Sequence, residues 1–148
     1  MAIERLQEKI RKQKNPCMVD FTVAKAHIPQ HIVSEERDFT HAYGRFCIEL
    51  LEGLAGKVPA VRFSFGMLAA LGAEGLTLLA KLLDTARGLG YYVLLDMPEA
   101  LSALSAEHMA GCMQQGSPWC CDGILTGAYI GTDAIKAYLS AMEHNDQD

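Results

Sequence analysis

Four short apolar runs alternate with amphipathic stretches along the whole chain, and this alternation constrains the fold more than any other feature. The runs are Cys17 to Phe21, Val58 to Phe65, Tyr91 to Asp96 and Cys121 to Thr126. Each is apolar over most of its length, the pattern of strands buried in a parallel sheet with helices on its faces. Helical spacing fills the intervals. Ile3, Leu6 and Ile10 predict a helix over 2–13, ended by Asn15-Pro16. Tyr43, Phe46, Leu50, Leu51 and Leu54 stripe a second helix over 39–55, which Gly56 stops. Leu76, Leu79, Leu83 and Ala86 stripe a third over 73–88, closed by Gly88 and Gly90. A fourth is expected from about Pro98 to Gln115, and a last one from Thr132 to about Met142 with Ile135 and Leu139 facing in. Residues 22–38 read as irregular, and Pro59 belongs at the start of its strand. The pattern is α/β: four βα units in one domain spanning 1–148, with right-handed crossovers expected.

Composition narrows the function classes. With 50% apolar and 21% charged residues, the chain can build a core and is not disordered. A net charge of −5 argues against nucleic acid, which needs clustered cations to displace counterions. The basic group Lys9, Arg11, Lys12 and Lys14 lies in a mixed-charge helix and reads as a solvated face. The longest uncharged stretch, Met109 to Cys121, contains Gln114, Gln115, Gly116, Ser117 and Pro118 and is no membrane span. The charged N-terminal segment has no apolar core of the signal-peptide kind, so a cytoplasmic location is expected. Five cysteines without a Cys-x-x-Cys pair read as free, mostly buried thiols in a reducing compartment, with no metal expected.

In parallel sheets, functional residues gather at the carboxyl ends of strands. Those positions are Asp20 or Thr22, Arg62 or Ser64, Asp96, and Thr126 to Tyr129. Asp20, Arg62 and Asp96 can form a charged cluster above the sheet, either the remnant of a polar ligand site or an ion pair at the rim. His27 and His31 flank Pro29 in a polar segment, while His41, His108 and His144 show no partner pattern. Gly88-Leu89-Gly90 precedes a strand instead of following one, so it is a helix stop and not a dinucleotide fingerprint. Trp119 reads as a packing anchor ahead of the fourth strand.

Segment order and wording carry a resemblance. The run Asn15-Pro16-Cys17-Met18-Val19-Asp20-Phe21-Thr22, the stretch from Ala42 to Gly111, and Asp122 to Leu139 together resemble the bacterial, longer-type orotidine 5′-phosphate decarboxylases. The resemblance covers most of this chain but only the first half of that family's fold. It implies half of a (βα)₈ TIM-type barrel from a dimeric enzyme of pyrimidine synthesis that uses no metal or organic cofactor.

The resemblance also implies where chemistry should sit. The family carries an alternating Lys–Asp–Lys–Asp network. Its strand-two Lys corresponds to Arg62. Its strand-three motif Asp-x-Lys-x-x-Asp reads here Asp96-Met97-Pro98-Glu99-Ala100-Leu101. Asp96 is kept, but Pro98 stands at the proton-donating Lys and Leu101 at the second Asp. The Asp after strand one aligns with Thr22 unless a gap moves Asp20 onto it. The motif after strand four appears as Gly127-Ala128-Tyr129-Ile130-Gly131, and the phosphate-gripping Arg belongs to the half not matched.

Decarboxylation to a vinyl-type carbanion needs a fixed cation beside the developing charge and a proton donor for it. Proline supplies neither, and leucine cannot replace a carboxylate. The expected function is therefore a catalytically inactive decarboxylase-like protein with a structural or nucleotide-binding, regulatory role. The alternative is a subunit of a split decarboxylase, active only with a complementary half. A lyase using Asp96, Arg62 and Glu99 on another phosphorylated sugar is a further reading. No catalytic set is intact; Arg62 and Asp96 remain as vestiges, and Asp20, Thr22, Arg62, Asp96 and Thr126 are the candidate ligand-binding positions. Four strands cannot close a barrel, and their edges and inner Val, Leu and Ile face invite pairing. A homodimer or a complementary half-barrel chain is the expected partner, and a nucleotide monophosphate the candidate ligand.

Overall fold

The computed structural model describes residues 2–98, 108–111, 114–127, 129 and 131–145. Four strands, β1 (Met18–Asp20), β2 (Ala60–Ser64), β3 (Tyr92–Asp96) and β4 (Gly123–Leu125), form one sheet in the order β1-β2-β3-β4, every pair parallel. The helices are α1 (Ala2–Gln13), α2 (Gln30–Glu35), α3 (Phe39–Leu54), α4 (Phe65–Ala69), α5 (Gly72–Gly88) and α6 (Thr132–Asn145). No helix among the described residues is long and apolar enough to cross a membrane.

Each strand sends alternate residues to opposite faces. Val19, Val61, Phe63, Val93, Leu95 and Ile124 point toward the helices, where most of them are buried with Tyr43, Cys47 and Leu51 of α3 and Leu79, Leu82, Leu83 and Ala86 of α5. Phe21 and Phe63 stack with centroids 5.0 Å apart. Two buried tyrosines tie this layer to backbone: Tyr43 Oη donates to Phe21 O at 2.5 Å and Tyr91 Oη to Leu51 O at 2.6 Å. Burial raises both phenols, that of Tyr43 well above its ordinary range.

The inner face differs from the expected sheet of Val, Leu and Ile. Met18, Asp20, Ala60, Arg62, Ser64, Tyr92, Leu94, Asp96, Gly123 and Leu125 share it by register. The β-branched residues fall on the helix-covered face because the period of two assigns them there. At the amino ends of β2 and β3, Leu6 of α1 packs over Ala60 and Tyr92 and forms a floor. Arg5 pairs with Asp122 at 3.1 Å and Lys9 Nζ donates to Gly90 O at 2.5 Å, holding α1 across the strand starts.

Several expectations need correction. Residues 22–38 are not wholly irregular: a 3₁₀ turn at Lys25–His27 and α2 lie there. Burial of Ile28 and Ile32 carries α2, a helix too short to leave a periodic signal. β2 stops at Ser64 instead of running through Phe65, because Ser64 Oγ accepts from Met67 N–H and caps α4. Ile135 and Leu139 are 40% and 49% exposed, while Ala134 and Tyr138 turn inward. On α3 the buried seam runs through Ala42, Tyr43, Cys47 and Leu51, leaving Phe46, Leu50 and Leu54 half-buried. The expected helix from Pro98 falls largely outside the described residues; 108–110 are helical. Gly56, at φ 74°, provides the left-handed position past the end of α3. Trp119 is a packing anchor, its ring edge-on to Phe65 at 5.8 Å.

Cys47, Cys120 and Cys121 are buried and Cys17 is exposed, all as free thiols; Cys112 lies outside the described residues. Burial raises the Cys47 thiol to about 12. Since the thiolate is the reactive form, maleimide at pH 8 is expected to label Cys17 rapidly and the other three only after unfolding. Peptide mass mapping before and after denaturant checks this.

Candidate functional site

Register builds the site. Asp20 pairs in the sheet with Arg62, and Arg62 with Leu94, two residues before Asp96 on the same face of β3. One guanidinium on the central strand therefore reaches a carboxylate on each side. Arg62 Nη1 donates to Asp20 Oδ2 at 2.7 Å, and Nη2 donates to Asp96 Oδ2. The side chains are 30%, 40% and 18% exposed for Arg62, Asp20 and Asp96. The Asp96 hydrogen bond, and then Asp20, hold the guanidinium proton more tightly than in water, against an opposing push from burial. Arg62 Nε–H is buried and has no acceptor among the described residues. The cluster carries a formal charge of −1.

The sequence brings these three together as expected. Thr22 enters differently: its side chain is exposed, and its backbone N–H donates to Asp20 Oδ1 at 2.9 Å, fixing that carboxylate toward Arg62. Thr126 follows β4 as an exposed residue, and no hydrogen bond connects it to the cluster among the described residues. Ser64 is spent on capping α4. Pro98 is exposed just past β3, while Glu99, Leu101, Ala128 and Ile130 lie outside the described residues.

A second cluster went unread in the sequence. Asp38 caps α3, its Oδ1 accepting from His41 N–H at 3.0 Å and facing His41 Nδ1 at 2.9 Å. Glu74 completes a set whose ligand atoms lie within 4.8 Å of one another. Arg37 donates to both carboxylates, to Asp38 at 2.9 Å and Glu74 at 3.1 Å, and offsets part of their charge. The hydrogen bond with the His41 side chain, then the His41 N–H and Arg37, hold the Asp38 carboxyl well below its usual range. An Asp directly before a helix is the one signal that could have found it. His41 and Glu74 of the set line a cavity of about 770 Å³ between α3 and α5, with Thr40, Gly44, Ile48, Thr77, Leu78 and Lys81 among its other walls. That cavity is on the helical side of the sheet, and Arg62 is on the opposite face.

Four parallel strands with interleaved helices, carrying polar side chains at their carboxyl ends, define the class: an α/β half-barrel of the TIM type. The half it resembles is that of the orotidine 5′-phosphate decarboxylases. The orotidine 5′-phosphate decarboxylase of Rhodopirellula baltica is 25% identical over 118 residues, covering 75% of this chain and 39% of that protein. A Streptomyces avermitilis structure described as an orotidine 5′-phosphate decarboxylase superposes with a TM-score of 0.81 at 17% identity, over 97% of this chain and 50% of that one. The Leishmania donovani OMP decarboxylase gives 0.71 at 18%, over 94% and 49%. The chain thus spans half or less of the length of these relatives, consistent with an N-terminal half. No family model matches it.

Proposed function

We propose that this chain is a non-catalytic decarboxylase-like protein that retains a polar site for a nucleotide monophosphate. The observation that carries the reading is the locked state of Arg62. Its two terminal nitrogens are engaged by Asp20 and Asp96, and its proton is held more tightly than usual. Such a group stabilises charge but cannot serve as a general acid near neutral pH. Pro98, where the resemblance places the proton-donating lysine, has no proton to give. Among the described residues, Asp96 pairs with Arg62 and with no lysine. Another half completes the open sheet.

One observation favours a second reading, in which the chain is a subunit of a split decarboxylase. Its near-complete superposition on half of a solved decarboxylase leaves room for a complementary half bearing the phosphate site. One experiment separates the two. The purified chain is assayed with orotidine 5′-phosphate alone and after mixing with a second-half fragment, and its melting temperature is followed with uridine and orotidine 5′-monophosphates. The expected result is turnover at the buffer rate in both mixtures and a nucleotide-dependent rise in melting temperature. Turnover well above buffer by the chain alone overturns the non-catalytic reading, and turnover only in the mixture establishes the split enzyme. A melting temperature unmoved by either nucleotide removes the ligand role and leaves a structural one.

A further inference from the structure

We infer that Tyr43, in the outer helix layer, is a positioning residue for the polar site: its hydroxyl holds the Phe21–Thr22 peptide, and that peptide holds the Asp20 carboxylate against Arg62. The consequence for ligand binding rests on the nucleotide reading above; the relay itself does not.

The sheet alone fixes Asp20 poorly. β1 has three residues, and Asp20 is the last of them, paired with Arg62. A part-exposed side chain at the end of so short a strand keeps several rotamers open. Here one rotamer is selected. Asp20 Oδ1 accepts from Thr22 N–H at 2.9 Å, which leaves Oδ2 facing Arg62 Nη1 at 2.7 Å.

That Thr22 N–H and the Phe21 carbonyl are the two ends of one planar trans peptide group, and they point opposite ways. Tyr43 Oη donates to the carbonyl end at 2.5 Å. The bonds therefore run in series: Tyr43 hydroxyl to Phe21 O, Thr22 N–H to Asp20 Oδ1, and Arg62 to Asp20 Oδ2 and Asp96. From Tyr43 to Asp20 each donor points the same way, so the first bond polarises the second. The relay uses only the backbone of Thr22, and its exposed side chain is not part of it.

Both ends of the peptide have firm support. Tyr43 is fully buried on α3, with Cys47 and Leu51 buried one and two turns further on. Phe21 is buried too, its ring stacked on Phe63 and its N–H bonded to Arg62 O at 2.9 Å. Burial first, then Cys47 and the Asp20 charge, raise the Tyr43 phenol, so the hydroxyl keeps its proton and stays a donor. A phenylalanine would fill the same place in the core. A buried hydroxyl costs stability unless it is bonded, and this one is bonded at the turn that carries Asp20.

Tyr43→Phe removes only the hydroxyl. Tyr91→Phe is the matched control: it removes an equivalent buried bond, Tyr91 Oη to Leu51 O at 2.6 Å, just ahead of the amino end of β3. The readout is nuclear magnetic resonance of the Arg62 guanidinium. Engagement of its two Nη groups by two separate carboxylates slows rotation about Cζ–Nε and keeps their protons distinct. Wild type is expected to show distinct signals, and Tyr43→Phe a rotation about fivefold faster. Tyr91→Phe should rotate at the wild-type rate although both variants lose comparable thermal stability. Affinity for uridine 5′-monophosphate, by calorimetry, should fall about fivefold in Tyr43→Phe and hold in Tyr91→Phe. Averaged Arg62 signals in wild type overturn the inference. So does a folded Tyr43→Phe at the wild-type rate, or a Tyr91→Phe as fast as Tyr43→Phe. Should Tyr43→Phe unfold, the wild-type Tyr43 hydroxyl proton decides: slow exchange with water is expected, and free exchange overturns the relay. A wild-type chain that binds no uridine 5′-monophosphate removes the nucleotide reading, while the Arg62 signals still judge the relay.

Discussion

Gly75→Ala is expected to destabilise the chain by about 3 kcal/mol, the upper part of the usual range for forcing an extra methyl into a packed site. In an unobstructed helix interior the same change stabilises by roughly 1 kcal/mol, because alanine loses less backbone entropy than glycine. The neighbourhood of Gly75 reverses the sign. A Cβ there would stand 2.0 Å from the carbonyl oxygen of Leu68 and 2.7 Å from Leu71 Cβ. The obstacle is backbone and cannot swing aside. That carbonyl accepts from Leu71 N–H at 3.0 Å, so moving it also breaks the turn between α4 and α5. Gly53→Ala, in α3 with nothing within 4 Å of its Cβ position, is the internal control. It should gain up to about 1 kcal/mol. Thermal unfolding followed by circular dichroism should place the two variants on opposite sides of wild type, with Gly75→Ala lower by roughly 10 °C. Equal shifts would mean that α4 and α5 do not approach as closely as described.

Alternation made the architecture legible. Val61, Phe63, Val93 and Leu95 could be read as strand residues because they bury almost completely against helices, and burial selects apolar β-formers. Long helices such as α5 were legible for the same reason. What escaped was set by contacts distant in sequence or by single side chains. α2 is held by Ile28 and Ile32, too few residues to make a period. α4 exists because Ser64 caps it where a strand had been expected to continue. α6 presents Ile135 and Leu139 outward, since Ala134 and Tyr138 pack against Ala110 beneath the helix. Hydropathy alone assigns the bulkier pair to the core.

The site was legible to the extent that strand register dictates it. Asp20 and Asp96 end their strands and Arg62 sits in the middle of β2, and parallel pairing brings the three into contact. Sequence did not reveal that Arg62 bridges both carboxylates at once, because that depends on its lying on the central strand of the three. Nor did it reveal the Asp38–His41–Glu74 group, whose members come from two helices packed side by side. Thr126, singled out by position alone, makes no hydrogen bond to the cluster among the described residues.

Arg62→Met should expose what the guanidinium contributes. Methionine fills much of the same volume but leaves Asp20 and Asp96 on one face of the sheet without the cation between them. Breaking a fully buried pair costs about 3–5 kcal/mol, and an exposed pair contributes about 0–1 kcal/mol. With side chains 18% to 40% exposed, the cluster falls between these limits, and a loss of about 2 kcal/mol at pH 7 is expected. Wild type is stabilised by attraction between the guanidinium and the two carboxylates, whereas the variant carries their mutual repulsion. Urea unfolding of both proteins measures the loss. Asp20→Asn combined with Arg62→Met closes a double-mutant cycle, in which removing one carboxylate should recover part of the loss. A cycle that recovers none of the loss would show that Arg62 acts through the packing of its stem and not through its charge.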